Sequence, residues 1–222
     1  MAQELDKEKI KAAALRRKTE VYTSVVPEMQ LGFIHNNVDC IGCRACEIAC
    51  KDKNGLAPGP RFRRVQYVEG GTYPEVYAYK VNMSCNHCAE PACLPTCPTG
   101  AIFKRPQDGI VDIDSSLCIG CRKCEAACPF GAPQFDVAEK LVKKCNMCVD
   151  EIDAGRKPYC VMACMMRVLD IGPIDKLADG THPTKARGPN DEVVRQVRDM
   201  ADPQLTGPSI VFVPHSKGVV GK

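Results

Sequence analysis

The chain has 222 residues, 30 basic and 27 acidic side chains, a formal charge of +3, sixteen cysteines and no tryptophan. Balanced charge with cysteines spread along the length argues against disorder, and a charge this mild argues against nucleic acid as a partner. No run of about 18 apolar residues occurs, so no transmembrane helix is expected.

Residues 1–30 read as an N-terminal helical arm. Residues 3–20 have helix-forming composition, with Ala12, Ala13, Ala14 and Leu15 amid charges, and stop before Pro27. The opening is charged rather than apolar, so no secretory signal is expected. Arg16-Arg17 suggests a twin-arginine signal, but KTEVYTSVVPEMQ supplies no apolar stretch after it. The arm is read as solvated or partner-bound.

From Leu31 cysteine groups alternate with short strand signals. The first group is Cys40, Cys43, Cys46 and Cys50, spaced C-x2-C-x2-C-x3-C. Residues 62–68 and 75–81 predict a hairpin around Gly70-Gly71. The second group is Cys85, Cys88, Cys93 and Cys97, followed by Pro98. Ile102 to Lys104 and Ile110 to Ile113 predict a second hairpin around Gln107-Asp108-Gly109. The third group, Cys118, Cys121, Cys124 and Cys128, repeats the spacing of the first and is followed by Pro129. The fourth is Cys145, Cys148, Cys160 and Cys164, with eleven residues before its third member. Residues 177–222 hold no cysteine and five prolines, which predicts a surface-lying, partner-docking tail.

The run C-x2-C-x2-C-x3-C-P is the bacterial ferredoxin pattern, in which the fourth thiolate serves the neighbouring cluster. Two-residue gaps let one tight loop offer three thiolates to three corners of a cubane. Gly42 and Gly120, in the two C-I-G-C loops, suit backbone that comes close to a cluster or takes a positive φ. The third and fourth cysteines, four apart, share one face of a helical turn, so that turn sets the separation of two clusters. Disulfides are disfavoured because the thiols crowd one loop in a chain too long for a small disulfide scaffold. Zinc ribbons use two C-x2-C knuckles rather than three ligands on one loop. Sixteen cysteines in repeating register cannot all be nucleophiles. Four [4Fe–4S] clusters are the reading that uses every cysteine.

Only residues 98–117 separate the second and third groups, so these should pair as in a compact two-cluster ferredoxin. By elimination the first pairs with the fourth. The fold class expected is α+β: duplicated bacterial ferredoxin-like modules binding four [4Fe–4S] clusters, with an extended arm and tail. Residues 31–176 form the four-cluster region, with an inner module at 84–133 and an outer module at 31–83 plus 134–176.

The segments CIGCRACEIACKDKNG, CNHCAEPACLPTCPTGAI, CIGCRKCEAACPFGAPQF and KCNMC…GRKPYCVMAC resemble the iron–sulfur (beta) subunits of dimethyl sulfoxide reductase-type molybdopterin oxidoreductases. The resemblance runs from about Leu31 to about His215. It implies crossed ligation: one cluster on Cys40, Cys43, Cys46 and Cys164, and its partner on Cys145, Cys148, Cys160 and Cys50. The inner pair would use Cys85, Cys88, Cys93 and Cys128, and Cys118, Cys121, Cys124 and Cys97. Nitrate-reductase-like relatives carry tryptophan where Cys121 stands and hold a three-iron cluster there, so cysteine here implies four cubanes.

The resemblance further implies an electron-transfer subunit of an anaerobic respiratory complex, with no catalytic residue or small-molecule substrate of its own. Its implied partners are a molybdopterin (bis-MGD) catalytic chain and an integral membrane anchor exchanging electrons with quinone. The location expected is peripheral at a membrane or cytoplasmic, or exported with a partner. A free polyferredoxin shuttle and a zinc-stabilised interaction module are the rival readings.

Other residues carry smaller expectations. Met165 replaces the proline usual after the last cysteine, so the helix at Cys160–Cys164 is expected to run on. His87 reads as a structural loop residue, and Met165-Met166 as packing. Arg44, Lys51, Arg122 and Lys123 flank ligands and would raise cluster potential if not merely solvated. Arg61, Arg63 and Arg64 read as facing either an acidic partner or solvent. Four loaded clusters would take the chain from +3 to roughly −5, since each cubane with its four thiolates carries about −2.

Overall fold

The computed structural model describes residues 27–198 and 200–220; the expected helix over residues 3–20 and the Arg16-Arg17 pair lie outside the described residues. Its centre is strand β1 (Leu31–Asn36), all six residues of which are buried. β1 pairs antiparallel with β8 (Leu169–Pro173), Phe33 opposite Ile171, and parallel with β9 (Ile210–Val213), Phe33 beside Ile210. A strand buried on both faces is a continuous apolar run rather than an alternating one, and Ile-Val-Phe-Val in β9 has that form.

One face of this sheet, with Phe33, Leu169, Ile171, Ile210 and Phe212, packs against Val65, Tyr79, Val81, Met83 and Met147. The same core takes in Cys46, Cys160 and Cys164. The opposite face, with Ile34, Val211 and Val213, is covered by Leu177 of helix α5 (Ile174–Asp179) and by Ala186. The expectation for residues 177–222 therefore changes. Part of this segment lies at the surface, but β9 is a core strand, because its β-branched and aromatic side chains complete a sheet that β1 and β8 leave open. The prolines punctuate the connection around that strand.

The first hairpin is longer than expected: β2 (Arg64–Thr72) and β3 (Glu75–Met83) turn at Tyr73-Pro74. Gly70 and Gly71 lie within β2, opposite Tyr77 and Val76. A Cβ on Gly70 would meet the Tyr77 hydroxyl at 2.5 Å, so the glycine serves close approach across the pair rather than the turn. The second hairpin, β4 (Ile102–Lys104) with β5 (Val111–Ile113), lies where the sequence places it.

A third hairpin, β6 (Gln134–Asp136) with β7 (Leu141–Lys143), was not anticipated. Phe135 and Val142 pack with Ile102, Val111, Cys93, Cys97 and Cys124, so residues 134–143 belong with the inner module rather than the outer. Helices are short: α1 (Ala45–Lys53), α2 (Lys123–Ala127), α3 (Val149–Asp153), α4 (Tyr159–Met162) and α5. α4 does not run on after Cys164. It ends at Met162, and Arg167, with φ of 56°, turns the chain into β8 while its side chain donates to the Met162 carbonyl at 3.0 Å. The missing proline is not needed to stop a helix whose fourth cysteine must leave its axis.

Among the described residues no helix is long and apolar enough to cross a membrane.

Candidate iron–sulfur centres

All sixteen cysteines are free thiols. Each group opens with a C-x-x-C loop whose third residue has a positive φ: Gly42 at 71°, His87 at 42°, Gly120 at 66° and Met147 at 61°. Left-handed backbone at this point folds the loop back on itself, so both thiols and the intervening N–H groups can face one centre. Two loops use glycine. His87 and Met147 meet the same demand as fully buried residues held by their surroundings. His87 Nδ1 accepts from the Val111 N–H at 3.0 Å, and its carbonyl accepts from Gln30 Nε2 and Ser209 Oγ, each at 3.0 Å. Burial holds this imidazole well below its ordinary pKa and hence neutral. That is the structural loop role read from the sequence.

Tertiary folding gathers twelve of the thiols into three cavities of four, none identical to a sequence group. Cys40, Cys43, Cys46 and Cys164 line one, here the first quartet. Cys85, Cys88, Cys93 and Cys128 line another, the third. Cys97, Cys118, Cys121 and Cys124 line the last, the fourth. Cys50 joins Cys145, Cys160 and Cys148, its electrostatic neighbours, as the second. Cys46 and Cys50 stand on the same helix, α1, yet face different quartets. Cys124 on α2 and Cys128 at its end do likewise, as do Cys160 on α4 and Cys164 just beyond it. Cys50, Cys85, Cys128 and Cys145 share one buried contact with Phe62 and Ala132, which joins the second quartet to the third.

Three cavities with four thiols each suit one kind of occupant. Among the described residues no three His, Cys, Asp or Glu side chains converge closely enough for a single ion. Thiols spread around a cavity fit a four-iron cubane better than a zinc at Zn–S distances of about 2.3 Å. A larger surface depression, lined by Arg156, Lys157, Arg167, Asp170 and Lys185 among others, is lined by no cysteine and shares no lining residue with these cavities.

Burial drives the thiol pKa values up: Cys88 and Cys124 to about 11 and Cys160 to about 12, with Cys50 and Cys93 raised further. Cys97 is the exception. Burial raises it too, but the Thr99 hydroxyl and the N–H groups of Ile102, Ala101 and Thr99 outweigh that and lower it. Further N–H groups aim at sulfur: Asn82 Nδ2 at Cys46 (3.2 Å), Met147 N at Cys145 (3.4 Å), Ala132 N at Cys128 (3.4 Å).

Sequence reasoning missed the buried cations. Arg63, read as facing a partner or solvent, is 1% exposed. It precedes β2 in phase with buried Val65, so period-two alternation was the available signal. Lys144 is buried, its Nζ donating to the carbonyls of Val111 and Cys145. Burial alone would lower its pKa, but Cys85, Asp112, Cys93 and Cys145 raise it. Lys104 Nζ caps the carbonyls of Cys88 and Ala89 at 3.1 and 2.9 Å.

Of the cations beside ligands, Lys51 pins the carbonyls of Ala57 and Pro60, while Arg44 lies over Tyr67 and Arg122 over Phe135. Met165 and Met166, expected to pack, are 65% and 45% exposed next to the first quartet.

A family model described as a 4Fe-4S dicluster domain matches residues 76–174. The B component of the anaerobic dimethyl sulfoxide reductase of Escherichia coli K12 is 46% identical over 156 residues, covering 67% of this chain and 76% of that one. This protein belongs to the iron–sulfur subunits of dimethyl sulfoxide reductase-type enzymes. A second relative, the probable anaerobic dimethyl sulfoxide reductase chain YnfG of the same strain, is 40% identical over 195 residues, 84% of this chain and 90% of its own. The B component of the sulfite dehydrogenase of Allochromatium vinosum is 35% identical over 214 residues, 85% and 84% respectively. As a family member the chain is a 4Fe-4S iron–sulfur protein of electron transport. The matched 76–174 span takes in three of the four groups, and the first lies outside it.

Proposed function

We propose that this chain is the electron-transfer subunit of a molybdopterin oxidoreductase complex and holds four [4Fe–4S] clusters in series. The observation that supports the reading is that three cavities each gather four thiols from two sequence groups, while the four thiols outside them, Cys50, Cys145, Cys148 and Cys160, are electrostatic neighbours. In this reading Cys40, Cys43, Cys46 and Cys164 hold the first cluster, and Cys50, Cys145, Cys148 and Cys160 the second. Cys85, Cys88, Cys93 and Cys128 hold the third, and Cys97, Cys118, Cys121 and Cys124 the fourth. Bound clusters supply reversible one-electron chemistry.

The protein's contribution is spacing and insulation. α1, α2 and the turn at Cys160–Cys164 each hold two neighbouring quartets a single turn apart. Phe62, Met147 and the apolar cores keep water from the middle of the series. The ends are open: Cys43 and Cys121 are exposed, at the first and fourth quartets. Exposed thiols at both ends and mostly buried ones between suit entry at one end and exit at the other, which supports a chain lodged between two redox partners, a molybdenum-containing catalytic chain and an anchor or other donor. The names of the relatives supply the class of complex.

Anaerobic purification of the native complex tests this. About sixteen irons per chain and co-purification of a large molybdenum-containing chain are expected. A colourless, zinc-loaded product would sink the iron–sulfur assignment, and recovery of an iron-loaded monomer under gentle conditions would favour the free shuttle.

A further inference from the structure

Arg63 has no conventional partner. Its guanidinium lies 4.3 Å above the Phe33 ring centroid, and Nη1 donates to Asn82 Oδ1 at 3.2 Å. Among the described residues no carboxylate forms an ion pair with it, and its Nε and Nη2, both buried, find no acceptor within the chain. A buried cation with two unsatisfied donors is costly unless something else accepts from it. Asn82 is itself buried, and its other end, Nδ2, donates to Cys46 Sγ at 3.2 Å in the first quartet. Burial opposes the charge, and the groups that favour it are Cys160, Cys145, Cys46 and Cys50, which span the first and second quartets. Among the described residues no comparable buried cation serves the fourth quartet, where Arg122 is exposed.

We propose that Arg63 is a shared counter-charge for the first two clusters, its free Nε and Nη2 donating to cluster or cysteine sulfur while Asn82 passes its orientation to Cys46. The inference rests on the four-cluster reading and adds to it a residue that sets potentials. A fixed positive charge between two anionic centres favours the extra electron on either, so it raises both reduction potentials. Fork geometry matters as well as charge, because two N–H donors on one plane can serve two acceptors at once.

The test is a redox titration of the native complex followed by electron paramagnetic resonance, with iron counted in each sample. Arg63→Met should lower the reduced-to-oxidised ratio of the first and second clusters at least about tenfold at fixed potential, equivalent to 59 mV for one electron. The fourth cluster should not move, which makes it the internal control. Arg63→Lys, which keeps the charge and loses the fork, should recover part of the shift. Asn82→Leu should shift the first cluster alone.

If Arg63→Met loses iron outright, the Lys and Leu variants still decide. Sixteen irons with potentials unmoved in all variants, or moved equally in all four clusters, would overturn the role of Arg63 and leave the four-cluster reading standing. Wild-type protein with fewer than four cluster signals would overturn both.

Discussion

Two loops of identical sequence, Cys40-Ile41-Gly42-Cys43-Arg44 and Cys118-Ile119-Gly120-Cys121-Arg122, open the first and fourth quartets. Both place glycine and then arginine at positive φ, 71° and 60° in one and 66° and 61° in the other. In both an aromatic ring receives the arginine: Tyr67 for Arg44 at 5.4 Å, Phe135 for Arg122 at 5.2 Å. What backs the loops differs. Gly42 sits against the Tyr67 side chain, whose hydroxyl donates to the Gly42 carbonyl at 2.5 Å. Gly120 sits against the backbone carbonyl of Lys140, in the turn of the third hairpin. Behind the first quartet stand Arg63 and Asn82, whereas behind the fourth stand neutral donors, the Thr99 hydroxyl and three N–H groups on Cys97. The same loop is thus built once against a movable side chain and once against fixed backbone, with its charge supplied differently.

The largest effect expected erases the comparison altogether. Removing iron anaerobically with a chelator should abolish the cooperative thermal transition, because cysteines make up much of the buried core and a site of this kind couples metal binding to folding. A sharp calorimetric transition in iron-free protein would show that the apolar clusters suffice alone.

Glycine replacement separates the two loops. Alanine at either position bears the left-handed penalty of roughly 1–2 kcal/mol. In addition, a Cβ on Gly120 would come within 2.3 Å of the Lys140 carbonyl oxygen, while one on Gly42 would meet the Tyr67 hydroxyl at 2.3 Å. A tyrosine ring can swing aside, and hairpin backbone cannot. Iron analysis should therefore show a loss of about four irons, one cubane, in Gly120→Ala and nearly full loading in Gly42→Ala. Equal losses would mean that the supports do not differ in stiffness.

Crossed ligation is sharpened by serine replacement. Cys164→Ser should alter the same paramagnetic signal as Cys43→Ser, although 121 positions separate them. If it altered the signal sensitive to Cys148→Ser instead, the first and second quartets would be wrongly drawn.

Retention of iron should depend on pH. In the folded chain a thiol released from iron meets the buried surroundings that put Cys88, Cys124 and Cys160 at about 11 to 12, so it takes up a proton at pH 7. Ligation needs thiolates, so loading releases protons and iron is held more tightly as pH rises, more loosely as it falls. Cys97, lowered rather than raised, should give up its proton most readily. Loss of the fourth cluster from loaded protein should then vary less with pH than loss of the second, and the decay of cluster absorbance across pH 6.5 to 9 would detect the difference. The smallest effect expected is for Arg122→Gln, which removes an exposed contact with Glu125 at 2.6 Å and leaves the melting temperature unchanged within error.

Much of the site was legible because thiol spacing is a local property. C-x2-C-x2-C demands one tight loop wherever it occurs, and a cysteine four residues on lies one turn away. Gly42 and Gly120 announced their left-handed backbone, whereas His87 and Met147 gave no such notice, since only the packing around them holds a non-glycine residue there. The third hairpin escaped notice because its strands have three residues each and no Asn-Gly or Asp-Gly turn. β9 escaped because five prolines in the same segment read as surface chain. Arg63 was misplaced for a different reason: arginine in solvent is so much the commoner case that one alternation step before β2 did not outweigh it.

By itself the sequence determined that there are four cysteine groups, what each loop must look like, and that the interior needed something besides aromatic side chains. Only the tertiary structure decided which thiols share a cavity. Each helical turn points its two cysteines toward different neighbours, and β1, β8 and β9 bring segments far apart in sequence beside one another. The same folding placed a guanidinium where no local pattern required one. Long-range packing sets which charges are buried, and local spacing carries no record of it.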